Sequence, residues 1–303
     1  MDDLDFSAKP GTPSPAPVVK PKPPGEPASL YEPRLALDFF KIAGTLEQFP
    51  AGKQIFAENE KAGGFFSKGA RIYLLLDGDV ALTLKGRPLE LVLPGETFGE
   101  MAAIADAPRS ATATARKSCR VLSLDEKQFR QSLQQMPEFA LMLMSVMAQR
   151  LRRGVSRLAE SGKAPPAAPV QKNALDDKML SDLQHALGDV MPTVARAGQN
   201  VVTQGAVGAC MFVVAQGRIA ISVDGVVIEH VGPGGVFGEM ALVERTGRAA
   251  TATAETDSAW FLVARNDFLS LVRAKPAFGI ALLRSMAGRV LRVATLLRDS
   301  AQS

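Results

Sequence analysis

The chain has 303 residues, 47% of them hydrophobic, and a formal net charge of +4. That length accommodates two domains with real cores. The mild, dispersed positive charge permits an anionic ligand without suggesting a protein that coats nucleic acid. With only two cysteines (Cys119, Cys210) and two histidines (His185, His230), a disulfide framework, a zinc site and a cupin-type metal enzyme are all excluded, because each needs clustered ligands.

Taken in chain order, the first five residues, Met1 to Asp5, are acidic and lead into no apolar stretch, so no signal peptide is expected. Residues 1–32 are Pro-, Ala- and Lys-rich and read as a disordered tail. A leading helix is predicted over Arg34–Ala43. Short β-branched runs follow at Ile72–Leu76, Val80–Leu84 and Leu89–Leu93, with Asp77-Gly78 and Lys85-Gly86 at the turns. Asp125 is a candidate N-cap for a short helix. Beyond it Phe139, Leu143, Val146, Met147, Leu151 and Leu158 fall on one helical face. The longest apolar run, Phe139 to Ala148, is about half of the ~20 residues a bilayer span needs, so no membrane insertion is expected and the protein reads as cytoplasmic.

An Ala/Pro linker is expected over 161–172, around Pro165-Pro166. A second helix is predicted over Leu175–Leu187, then strands at Met211–Ala215, Arg218–Val223 and Val226–Val231. Asp224-Gly225 is a tight-hairpin signal between the last two. Asn266-Asp267 is a candidate N-cap, and Phe278, Leu282, Met286, Val290, Val293 and Leu297 form a second helical face. The expected domains are therefore 33–160 and 173–303, each a helix, a small jelly-roll-like β-barrel and C-terminal helices.

The two domains are copies of one another. Phe98-Gly99-Glu100-Met101-Ala102 returns as Phe237-Gly238-Glu239-Met240-Ala241, an offset of 139, and residues 98–115 match 237–254 at 11 of 18 positions. The same offset pairs Pro94-Gly95 with Pro233-Gly234, Arg109 with Arg248, Phe129 with Phe268 and Arg150 with Arg289. The first copy carries seven extra residues, assigned to a Gly-rich loop within Lys61–Ala70.

The repeated stretch carries the chemistry. Small residues after a Pro-Gly turn allow a short helical turn whose free amides suit a phosphate. An Arg ten positions beyond the Gly supplies a fork for phosphate oxygens, and the neighbouring Glu can accept a sugar hydroxyl. Phe98–Ala102 followed by Pro108-Arg109-Ser110-Ala111-Thr112 resembles the phosphate-binding cassette of cyclic-nucleotide-binding domains, which occur in catabolite-activator-type regulators and kinase regulatory subunits. Phe237–Ala241 with Gly247-Arg248-Ala249-Ala250-Thr251 is similar to it.

The resemblance implies a cAMP or cGMP receptor. Arg109 and Arg248 would hold the cyclic phosphate, and Glu100 and Glu239 the ribose 2′-hydroxyl. The cassette positions Gly99, Met101, Ala102 and Ser110, and in the second copy Gly238, Met240, Ala241 and Ala249, would complete each site, chiefly through backbone amides. Gly247 stands where the family usually has proline, which predicts a looser second cassette. Ser110 leaves the first site open to either nucleotide, whereas Ala249 leans towards cAMP.

No catalytic residue, metal or cofactor beyond the nucleotide is expected. No DNA contact is expected either, since no helix-turn-helix follows Leu297. Output would pass to an unidentified protein effector or through a homo-oligomer. The alternatives are a non-binding adaptor on a degenerate version of this fold, with each Arg paired to a surface carboxylate, and a site closed by ion pairing of Glu100 and Glu239 with their own Arg. The basic cluster Arg150, Arg152, Arg153 and Arg157 reads as the solvated side of a helix.

Overall fold

A computed structural model describes residues 31–61, 71–105, 107–160, 170–171, 174–243 and 247–302. The expected disordered tail, the Gly-rich insertion over 62–70 and the Ala/Pro segment 161–169 lie outside the described residues.

The first repeat opens with helix α1 (Pro33–Ala43). Strands β1 (Thr45–Phe49), β2 (Gln54–Phe56), β3 (Ile72–Asp77), β4 (Val80–Leu84), β5 (Arg87–Val92) and β6 (Thr97–Phe98) follow. A short helix α2 (Glu100–Ala105) precedes β7 (Thr112–Ala115) and β8 (Cys119–Leu124), and helices α3 (Glu126–Gln135) and α4 (Glu138–Glu160) close the repeat. The second repeat runs α5 (Asp177–Ala186), β9 (Thr193–Ala195), β10 (Asn200–Val202), β11 (Cys210–Gln216), β12 (Ile219–Val223), β13 (Val226–Val231) and β14 (Val236–Phe237). It continues with a 3-10 turn over Glu239–Leu242, β15 (Thr251–Ala254), β16 (Ser258–Ala264), α6 (Arg265–Ala274) and α7 (Pro276–Gln302).

Each repeat forms two four-stranded antiparallel sheets. Their orders are β1-β8-β3-β6 and β2-β7-β4-β5 in the first, β9-β16-β11-β14 and β10-β15-β12-β13 in the second. This is the predicted jelly-roll-like architecture, built twice. Lys85-Gly86 and Asp224-Gly225 both adopt positive φ at two consecutive positions, the geometry that tight hairpins require.

Strand alternation divides the apolar side chains between two cores. On β3, Tyr73 and Leu75 face a barrel interior filled from both sheets, while Ile72 and Leu74 face the helices. On β11, Phe212 and Val214 point into the second barrel with Trp260, and Met211 and Val213 point out towards the helices. The helical core is anchored by Phe39 of α1, which stacks on Phe139 at 3.8 Å between ring centroids and meets Phe129 edge-on.

Local capping agrees with the sequence at one helix and departs from it at another. Asp125 caps α3, accepting from the Gln128 amide while the Gln128 side chain accepts from the Asp125 amide, both at 2.9 Å. The expected cap Asn266-Asp267 lies inside the first turn of α6 instead. Ala264 occupies the N-cap, and Asp267, at the third helical position, accepts from its amide at 3.1 Å. Gln171, assigned to the linker, is buried: its side-chain amide both accepts from and donates to the Val236 backbone.

The two repeats share the helical core. One continuous apolar cluster contains Phe39, Phe129, Leu143 and Met147 together with Phe268, Phe278, Leu282 and Met286. Helix α4 was expected to bury one face, yet Leu141 to Ser145 are buried almost all round. Its second face is taken by α7, against which it packs. Glu138 at the start of α4 lies 3.8 Å from Arg273 just ahead of α7. Farther along, Gly154 meets Val293. The helices therefore run side by side in the same direction, with repeat-equivalent positions in contact. The packing is reciprocal: α2 lies on α7, the 3-10 turn lies on α4, and α3 lies on α6.

Candidate functional site: a buried arginine in each cassette

Each cassette begins where a short edge strand ends in a glycine with positive φ, Gly99 at 77° and Gly238 at 72°. A side chain is unfavourable there for two reasons. The backbone is left-handed, and a β-carbon would lie 2.9 Å from Arg109 Nη1 at position 99 and 2.8 Å from Arg248 Nη1 at position 238. The glycine lets the arginine approach the turn.

Arg109 is only 3% exposed. Its Nη1 donates to the Gly99 carbonyl at 2.7 Å and its Nη2 to the Arg71 carbonyl at 3.1 Å. Its guanidinium lies 4.3 Å above the centre of the Phe56 ring, and Nε is buried without a hydrogen-bond partner. Burial holds its pKa below the ordinary arginine value, with Tyr73, Glu60 and Glu100 acting in the opposite direction. Arg248 repeats the arrangement: Nη1 donates to the carbonyls of Cys210 (2.8 Å) and Gly238 (3.1 Å), and the group stands 5.3 Å from the Phe212 ring centre. Among the described residues, no carboxylate forms an ion pair with either arginine.

Both carboxylates are buried, and each pairs with an arginine outside its own cassette. Glu100 accepts from Arg150 Nη1 at 2.7 Å, and Glu239 from Arg289 Nη1 at 2.6 Å. The alternative in which each Glu closes on its own cassette Arg is therefore corrected. The solvated role given to Arg150 is corrected as well: its side chain reaches from α4 to the buried carboxylate at the start of α2. Glu100 holds the Arg150 pKa above its ordinary value. Around Arg289 burial opposes the charge, but Glu239 and Glu229 outweigh it and raise the pKa. The second latch is larger, because Glu229 also faces Arg289 Nε at 3.5 Å and Arg292 Nη1 at 3.6 Å.

The remaining positions divide between backbone and core. Met101 and Ala102 belong to the shared helical core, with Met240 packed against it, so only their backbones are left for a ligand. The Ala241 amide, expected to serve a phosphate, donates to the Gly238 carbonyl at 3.1 Å within the 3-10 turn. Ser110 is exposed and Ala249 half-buried beside their arginines. Gly247 answers to a close approach, since a β-carbon there would lie 2.6 Å from the Gly205 carbonyl oxygen. Outside the cassettes, His185 and His230 bond locally, to the Ser181 carbonyl and to Glu255.

Sequence reasoning missed Phe56, Phe212 and Glu229, gave Arg289 no role beyond its pairing in the repeat, and gave Arg150 only that of a solvated helix residue. A signal for the two arginines was present. They are repeat equivalents, and each follows its glutamate by 50 residues.

The family model for the cyclic nucleotide-binding domain matches residues 46–136 and 192–275, more than half of the chain. The chain belongs to the cyclic nucleotide-binding domain family. Both matches cover a barrel with its cassette, so the chain carries two cyclic nucleotide-binding domains in tandem. It is 31% identical over 192 residues to a cAMP-dependent protein kinase regulatory subunit of Eremothecium gossypii, covering 62% of this chain and 37% of that protein. It is 32% identical over 117 residues to a CRP-like cAMP-activated global transcriptional regulator of Mycobacterium tuberculosis, covering 37% of this chain and 49% of that one. The chain thus spans half or less of the length of these curated relatives. Among solved structures, the catabolite activator protein of Thermus thermophilus aligns at 27% identity and a TM-score of 0.36, over 42% of this chain and 62% of that one. Among the described residues, no helix of this tandem-domain chain is long and apolar enough to cross a membrane, and no group of three or more His, Cys, Asp or Glu side chains is placed to hold a metal ion.

Proposed function

We propose that the chain is a non-catalytic cyclic-nucleotide receptor, cytoplasmic, that binds cAMP or cGMP and passes the signal to a protein effector by changing conformation. The observation that carries the reading is the pair of buried arginines. A guanidinium taken out of water is costly unless an anion answers it. Arg109 and Arg248 have carbonyls and an aromatic face but no described carboxylate, while a buried glutamate stands one residue beyond the glycine that each arginine touches. A guanidinium for one anionic phosphate and a carboxylate to accept from one hydroxyl suit a nucleoside cyclic monophosphate. The named cAMP-dependent relatives support the same ligand class.

The latches supply the conformational step. Glu100 and Glu239 fasten each cassette to its own long helix through Arg150 and Arg289. A ribose hydroxyl that engages the glutamate competes with that fastening. Binding energy is then converted into helix movement to the extent that nucleotide prefers the released form. Calorimetric titration of the wild type with cAMP and cGMP tests the reading. Two sites are expected, Arg109→Ala removing one and Arg248→Ala the other, with ~2.7 kcal/mol of stabilisation at 100 times Kd. Absence of heat and of thermal shift with both nucleotides at millimolar concentration overturns it.

A further inference from the structure

The two repeats are built alike, but the contacts between them are not. Arg284 of α7 reaches out of its own repeat, and its Nε donates to the carbonyl of Ile104 at 3.3 Å. Ile104 is fully buried and lies in the last turn of α2, the helix that opens on Glu100 in the first cassette. A carbonyl at a helix C-terminus lacks an intrahelical partner, and a cation there is doubly suited, as donor and as charge. The equivalent position on α4 is Ser145. It is buried, and its hydroxyl has no hydrogen-bond partner. A serine is also too short to copy the reach of an arginine.

On the same helix, five residues on, Arg289 holds the second cassette through Glu239 at 2.6 Å and the Val236 carbonyl at 2.9 Å. Five residues amount to about 7.5 Å of rise and nearly one and a half turns, so the two arginines leave α7 on different faces. One grips the first cassette, and the other latches the second.

We infer that Arg284 is a positioning residue that couples the two sites, linking the state of the first cassette along α7 to the Glu239–Arg289 latch of the second. The inference rests on the receptor reading for its ligand, but the mechanical link belongs to this chain's own residues. A movement of α2 displaces the Ile104 carbonyl that Arg284 holds. Helix α7 then follows, and with it Arg289. The bistable element is the latch, engaged or released, which gives the coupling a physical carrier rather than mere proximity. Helix α4 also packs on the second cassette, but at the equivalent position Ser145 does not supply a side chain that could grip it as Arg284 does.

Two measurements on Arg284→Ser and Arg284→Lys test this. The first is hydrogen exchange on the nucleotide-free full chain. Arg284→Ser is expected to speed exchange in residues 100–105 and also in 237–242 of the second cassette, whereas Arg284→Lys retains most of the protection in both. A change confined to 100–105 overturns the inference, whatever the ligand. The second is titration with cAMP and cGMP, comparing second-site affinity in the presence of an intact first site and in Arg109→Ala. A difference of at least ~5-fold is expected, falling to about 1-fold when Arg284→Ser is added and persisting with Arg284→Lys. A difference that survives Arg284→Ser overturns the coupling. If wild type binds neither nucleotide, the receptor reading fails, and the exchange measurement still decides the mechanical link.

Discussion

Gly154 of α4 touches Val293 of α7, its own counterpart 139 residues further along the chain. A β-carbon at position 154 would lie 2.5 Å from Val293 Cγ1. A contact between equivalent positions places a pseudo-two-fold axis through the helix pair and makes the seam close-packed there. Gly154→Leu is therefore expected to destabilise the protein by ~1–3 kcal/mol through overpacking, although leaving glycine favours a helix by ~1 kcal/mol. Adding Val293→Ala should recover most of the loss. Urea denaturation of the two single variants and the double variant checks this, and strict additivity would count against the contact.

The two glutamate latches differ in what surrounds them. Arg289 keeps 11% of its side chain exposed and Arg150 keeps 37%. Glu239→Gln strands a buried cation and should cost ~3 kcal/mol even with Glu229 nearby. Glu100→Gln leaves an arginine that water reaches, at ~1 kcal/mol or less. Chemical denaturation ranks the two, and equal losses would contradict the difference in burial.

Restoring the family proline at position 247 should harm the second site. Because a β-carbon there would crowd the Gly205 carbonyl at 2.6 Å, Gly247→Pro is expected to destabilise by ~1–3 kcal/mol and to weaken nucleotide binding at Arg248. Melting and calorimetry in an Arg109→Ala background measure both effects. Tighter binding would show that flexibility, and not close packing, governs this turn.

A core that spans both repeats predicts that they unfold together. Phe39→Ala removes a fully buried ring stacked on Phe139 and should cost ~3–5 kcal/mol. The only tryptophan, Trp260, lies in the barrel core of the other repeat. Its fluorescence should report the same downward shift in the unfolding midpoint as circular dichroism. An unshifted Trp260 transition would mean that the repeats melt independently.

The barrels were legible because their signals are local. Asp224-Gly225 and Lys85-Gly86 specify hairpins within two residues, and Val80–Leu84 and Val226–Val231 fall at the predicted bounds. The cassette was legible because a glycine, a glutamate and an arginine recur together at one spacing. Partnerships between elements were not. Arg150 looks like one charge among several on a helix, and only the tertiary fold brings it to Glu100, 50 residues earlier in the chain. The second buried face of α4 was hidden for a similar reason. Leu141 and Met142 read as off-face residues until α7 is present to cover them.

The α4–α7 seam joins two halves of one polypeptide, so dilution does not pull it apart. A pair of identical subunits must carry every substitution twice, on both sides of its axis. Here each half has been free to change alone. Arginine stands at 284 and serine at 145, glycine at 247 and proline at 108, and cysteine at 210 where 71 is arginine. The covalent connection keeps the geometry of a symmetric partnership while permitting its two members to become unlike.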